Sequence, residues 1–281
     1  MRETCVELTN RYGLGAREHL RPLVGESGVV LVPIDRVTID RVWSDGGYPA
    51  HGSYRDYHHH TVHHHQPWAN DGSVYDHKLA LGLAREHAKE FVAHTIERLK
   101  IANETPEGDA LPGGGLVVCA LDTELLGHWW YEGVAWLRAV VGECVKEGLK
   151  LVRLDEATAM ARPAPLGSPG WDASTWGTGG DLSTWSGPAA ADMAFATRAA
   201  ELRTLAAGRE AGGAALRELL ALQASDWAFM VSRGLAVPYA RERFANHQAE
   251  FEKALAAGPD ADLSALRNLA AHADPLALLA P

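Results

Sequence analysis

Residues 116–121 form an unbroken apolar run after Gly113, Gly114 and Gly115, and the pattern then switches abruptly to Asp122, Glu124 and His128. Such a run predicts a strand covered on both faces, with polar chemistry at its C-terminal tip, where active sites of parallel α/β folds sit. Trp129 and Trp130 follow at once. The alternative reading makes Asp122 the cap of a following helix and both tryptophans core.

The neighbouring pattern alternates. Short strand-like runs over 4–9 and 29–34 open the chain, and 43–76 shows neither a period of 2 nor one of 3.6. That stretch, rich in Gly, Tyr, Pro, His and Asp, reads as a long functional loop. Over 77–99 helical spacing returns, with Leu79, Leu83, His87, Phe91 and Ile96 on one stripe and Arg85, Lys89, Glu90 and Glu97 left to water. A second amphipathic helix is expected over 136–147 and a further strand over 149–154. Strand, helix, strand, helix, strand predicts an α/β fold with parallel strands. Residues 163–188 form a second Gly/Pro/Trp-rich loop. Helical runs follow near 188–207, 213–233, 237–257 and 262–270, broken by glycines and Pro238. The expected division is an α/β part over 1–187 and an all-helical domain over 188–281.

Composition narrows the function classes. The 281 residues are 47 % hydrophobic, without a run of eighteen apolar residues that would span a membrane. The first residues lack the basic-then-apolar layout of a signal peptide, so a cytoplasmic location is expected. Cys5, Cys119 and Cys144 are too scattered for a disulfide framework or a zinc spacing. A formal charge of −10 argues against nucleic acid, whose binding leans on clustered Lys and Arg. Neutral ligands stay open.

Eight of the nine tryptophans lie between residues 43 and 185, and Trp43, Trp68, Trp171, Trp176 and Trp185 fall in the two loops rather than on regular elements. Singly, each could be structural; as a set they point to a groove whose indoles stack on the apolar faces of sugar rings. The glycines of 174–185 suggest a phosphate loop, but the Gly-Lys-Ser/Thr ending is missing and no basic residue is present. They instead let the backbone approach a ligand while carrying Trp176, Asp181 and Trp185. His58, His59, His60, His63, His64 and His65 point in different directions in a loop, without supporting Cys or a helical His pair, so no metal site is expected.

These blocks resemble a known family. Residues 120–130, Ala-Leu-Asp-Thr-Glu-Leu-Leu-Gly-His-Trp-Trp, look like the acid/base region of the branching enzymes of glycoside hydrolase family 57. Val42-Trp43-Ser44-Asp45-Gly46-Gly47-Tyr48-Pro49, Tyr54-Arg55-Asp56-Tyr57-His58 and Trp68-Ala69-Asn70-Asp71-Gly72 resemble its mid-barrel loop. Residues 174–181 resemble its last motif, and 224–229 a signature of its helical C-terminal domain.

The resemblance implies a partial (β/α)7-type barrel with parallel strands, followed by a helical bundle. It implies a retaining 1,4-α-glucan branching activity on glycogen or amylose, without cofactor or metal. Asp122 would be the general acid/base, and Trp43, Trp171, Trp176 and Trp185, with His128 and Asp181, would contact the glucan. Retention needs a second carboxylate about 5 Å away as nucleophile. In the family it lies in a Glu-Cys motif upstream of the strand that 4–9 resembles; Glu3-Thr4-Cys5 imitates that motif at the wrong spacing. The chain is therefore expected to match the C-terminal half of such an enzyme, without the nucleophile and with little activity alone. A non-catalytic α-glucan-binding module is the alternative.

Overall fold

The computed structural model describes residues 20–25, 28–103, 114–160, 163–166, 175, 178–264 and 269–274. The chain divides into two compact units, Met1–Trp171 and Asp172–Pro281.

The first unit holds a small mixed sheet. Strand β1 (Leu23–Val24) pairs antiparallel with β2 (Val30–Leu31) and parallel with β3 (Ala164–Pro165). Helix α1 (Arg36–Trp43) starts at Asp35, whose side chain accepts the Thr38 amide, and was not foreseen despite that Asp-x-x-Thr capping pattern. Helix α2 (His77–Asn103) and helix α3 (Gly133–Glu147) pack together, and the short α4 (Leu154–Met160) precedes β3.

The core of this unit is an α2–α3 seam closed by aromatics from the long loop. Tyr48, Tyr54, Phe91, Trp130 and Trp136 share one buried cluster with Ala80, Ala84 and Ala88. The face that α2 buries overlaps the expected stripe, with Phe91 buried and Leu83 and Ile96 packed against the same cluster, but at the start of the helix Leu79 is exposed while Ala80 is buried. Small side chains let the helices approach closely, and the tryptophans fill the remaining space.

The expected barrel is not seen among the described residues. Residues 116–121 are mostly half-buried and lie in no ladder. They hold on by single bonds, from the Leu116 amide to the Leu20 carbonyl (2.7 Å) and from the Asp35 amide to the Val118 carbonyl (2.8 Å). Apolarity alone predicted a doubly covered strand, but a strand also needs a continuous partner on each side. Residues 149–153 likewise form no strand, and the run 4–9 lies outside the described residues.

The second unit is helical: α5 (Ser183–Ser186), α6 (Ala191–Ala207), α7 (Gly212–Leu222), α8 (Ser225–Arg233) and α9 (Val237–Ala257). Its core gathers Met193, Leu216, Leu219, Leu222, Phe244 and Phe251 around α7. Helix α8 ends on Gly234 at φ 69°, a left-handed C-cap suited to glycine.

Candidate active site

Asp122 stands where extended chain turns into a 3₁₀ helix over Thr123–Leu125. Its backbone is extended (φ −64°, ψ 131°), its carboxylate makes no capping bond, and the residue is exposed. The helix-cap alternative therefore fits the backbone position but not the side chain. Asp122 is delivered by 116–121, which hangs from Asp35, and Asp35 is fixed by a buried ion pair with Arg98 of α2 (2.6 Å).

After Asp122 the chain folds back on itself. The Trp130 amide donates to the Leu125 carbonyl (2.8 Å) and the Gly127 amide to the Trp130 carbonyl (2.9 Å). Gly127 sits at φ 94°, a conformation that favours glycine. This turn separates the adjacent indoles: Trp130 is 1 % exposed and in the core, whereas Trp129 is 45 % exposed. Trp129 donates from Nε1 to Glu124 Oε1 (2.9 Å), and its ring lies 4.8 Å from that of Tyr57 at 30°. The Tyr57 hydroxyl meets His128 Nε2 at 3.0 Å. His128 thus joins a platform of half-buried Tyr57 and exposed Trp129. Sequence reasoning did not assign Tyr57, although the Tyr-Arg-Asp-Tyr run carried it.

A buried carboxylate underlies this platform. Glu132 is 1 % exposed; its Oε1 accepts the Tyr75 hydroxyl (2.6 Å) and the Arg55 amide (3.3 Å). Burial and the Glu132 carboxylate push the Tyr75 phenol well above its ordinary value, so it stays a donor. The Arg55 guanidinium lies 4.5 Å from the centre of the Tyr131 ring. Glu132 therefore ties the loop carrying Tyr57 to the segment carrying Trp129. A polar residue followed by a glycine gave no sign of this role.

The other expected contacts differ in setting. Trp43 ends α1 and is 46 % exposed. In the second unit Trp185 is half-buried and stacks on Phe229 at 6.3 Å. It borders a hollow of about 350 Å³ with Trp227 and Phe244. Asp181 accepts the Ser183 amide (2.8 Å), and hydrogen bonding to Ser183 holds its carboxyl below the usual range. Trp171 and Trp176 lie outside the described residues.

In the histidine-rich run, Asp56 accepts the His58 amide (2.7 Å) and pairs with His59 Nδ1, and His60 stacks on His64 at 5.4 Å. Among the described residues no three His, Cys, Asp or Glu side chains gather as a metal site would require, and no helix is long and apolar enough to cross a membrane.

Known proteins are similar to this chain over most of its length. A sequence profile described as "1,4-alpha-glucan branching enzyme, C-terminal" matches residues 189–276. A probable 1,4-alpha-glucan branching enzyme of Mycobacterium tuberculosis is 33 % identical, with 84 % of this chain and 49 % of the relative covered. The crystal structure of a GH57-type branching enzyme from Pyrococcus horikoshii is similar with a TM-score of 0.73 at 28 % identity, over 88 % of this chain and 48 % of that one. This chain is a homologue of the glycoside hydrolase family 57 branching enzymes. It spans about half the length of the relatives it matches, their C-terminal domain included. A GH57 branching enzyme of Thermococcus kodakaraensis, crystallised in complex with glucose and additives, is similar with a TM-score of 0.71 at 27 % identity, over 93 % of this chain and 49 % of that one.

Proposed function

We propose that this chain carries the proton-donor side of a retaining 1,4-α-glucan branching site, with Asp122 as general acid/base. Residues 1–187 are then the C-terminal part of a (β/α)7-type barrel and 188–281 its helical bundle. The observation that carries the reading is the exposed, uncapped Asp122 beside the Glu124–Trp130 turn, in a chain homologous to branching enzymes. Asp122 protonates the glycosidic oxygen as the α-1,4 bond breaks. It then takes the proton from the acceptor's 6-hydroxyl as the α-1,6 bond forms.

Retention requires a nucleophilic carboxylate about 5 Å from the acid. Neither nearby glutamate suits that role. Glu132 is buried and bonded to Tyr75, and Glu124 is held by the Trp129 indole. The nucleophile is assigned to no described residue.

In the first unit Trp43 stacks on the glucan with His128 as a polar contact, and the exposure of Trp43 supports this; for Trp185 and Asp181 of the second unit, and for Trp171 and Trp176, the glucan-contacting role is the one the family resemblance implies. The substrate is a glycogen- or amylose-like α-glucan, and no cofactor is assigned. Free thiols at Cys119 and Cys144 support a reducing, cytoplasmic setting.

The test uses the protein as its own cells make it, incubated with amylose while new α-1,6 linkages are counted by proton NMR. Wild type forms branches and Asp122→Asn does not; equal branching by the two removes Asp122 from the reaction.

A further inference from the structure

The loop after α1, together with α1 and α2, lines a half-open hollow of about 400 Å³ in the first unit, within the roughly 300–1,000 Å³ range of small-molecule pockets. Its lining includes neither Asp122 nor the Tyr57–Trp129 pair. Tyr48, another lining residue, is 6 % exposed and stacks on His87 at 4.5 Å and 22°. Gly47 makes the wall tight: a Cβ there would stand 2.4 Å from the Val42 carbonyl oxygen, so only glycine lets the loop press on α1. The hollow is therefore held open by packed elements.

The polar groups facing it are mixed in a telling way. His51 Nδ1 accepts the Ser53 amide (3.2 Å), which leaves the ring proton on Nε2. His87 Nδ1 meets the Tyr54 hydroxyl (2.8 Å). Burial lowers the His87 pKa and raises that of Tyr54, so a neutral phenol donates to a neutral imidazole whose Nε2 carries the proton. Both histidines thus offer N–H donors. Arg41 and Glu90 form an ion pair (2.9 Å) that supplies further donors and acceptors, and Asp45 adds an exposed carboxylate. With Arg41 paired to Glu90 and the carboxylates of Asp40 and Asp45 also in the lining, the hollow does not favour an anion. The described residues gather no carboxylate cluster for a divalent cation. Neutral donors interleaved with carboxylate acceptors match vicinal hydroxyls, each of which donates and accepts.

We infer that this hollow is an accessory subsite for one glucosyl unit of an α-glucan, contacted by His51, His87, Arg41 and Glu90. The inference rests on the α-glucan reading above for its choice of sugar.

The test follows the imidazole C–H resonances of His51 and His87 in the natural protein during titration with maltotetraose, with His51→Gln as the aid to assignment. Both signals should move along one saturating curve, and Glu90→Gln should weaken that curve at least about tenfold while leaving Tm unchanged. Signals that stay still at saturating maltotetraose, an unweakened curve in Glu90→Gln, or an equal response to glycerol would each overturn the subsite. Still histidines alongside branching that depends on Asp122 would sink only the subsite. Moving histidines in a protein that branches nothing would sink the catalytic reading and keep the pocket.

Discussion

Replacing Arg98 with Met should destabilise the first unit by about 3–5 kcal/mol, the usual cost of stranding one member of a buried ion pair. Asp35 is 0 % exposed and accepts two bonds from the Arg98 guanidinium, at 3.1 and 2.6 Å, besides the amide and hydroxyl of Thr38. In Arg98→Met the carboxylate keeps only Thr38. Against a domain stability of about 5–15 kcal/mol the loss is severe. It should also reach the site, because the Asp35 amide holds the Val118 carbonyl upstream of Asp122.

The pH dependence is fixed in sign. Burial works to raise the Asp35 carboxyl, but the bonds from Arg98 and Thr38 and the guanidinium charge outweigh it, leaving the carboxyl below its ordinary value. The pair's contribution is therefore complete above the unfolded value of about 3.9 and fades as pH falls through the depressed folded value. Urea unfolding followed by tryptophan fluorescence, at pH 7 and at steps below pH 4, measures both effects. The variant should lie well below wild type at pH 7, with the gap narrowing in acid. Arg98→Met within 0.5 kcal/mol of wild type, or a gap that widens in acid, would refute the argument. The double variant Asp35→Leu/Arg98→Met should recover much of the loss, since no charge is then left buried.

Trp43→Ala should raise KM for amylose several-fold with little change in Tm, because the ring is 46 % exposed; an unchanged KM removes Trp43 from the groove. Burial pushes the Cys119 thiol up to about 12, and Cys144 is also raised. In a Cys5→Ser background, disulfide-exchange labelling at pH 8 should be slow until urea is added, and prompt labelling of folded protein would contradict this. Gly47→Ala should cost about 1–3 kcal/mol in urea unfolding, from the clash with the Val42 carbonyl; a neutral effect would show that the loop wall gives way.

The helices were the legible part. The expected runs at 77–99 and 136–147 became His77–Asn103 and Gly133–Glu147, because long amphipathic periods survive small shifts of face. Where the face moved, at Leu79 and Ala80, the cause was close helix packing that no single-helix pattern records. Arg98 was equally hidden, since a charged residue at helical spacing reads as solvated until its partner 63 positions away is known. The runs at 116–121 and 149–154 misled for the opposite reason. Apolarity states that a segment can be buried, whereas a strand also needs neighbours, and these lie far off in sequence. At the site, Asp122 and His128 stood out through their motif, but the outward turn of Trp129 and the inward turn of Trp130 depend on the Gly127 backbone.

The central claim is that Asp122 moves the proton, and azide rescue tests it most directly. In Asp122→Ala of the protein as its own cells make it, an α-maltosyl fluoride should still load the nucleophile, because its leaving group needs little protonation, and turnover should then stall. Added azide, which attacks without base assistance, should restore turnover and release a glycosyl azide with retained α configuration. Unimpaired branching of amylose by Asp122→Ala without azide would contradict the account.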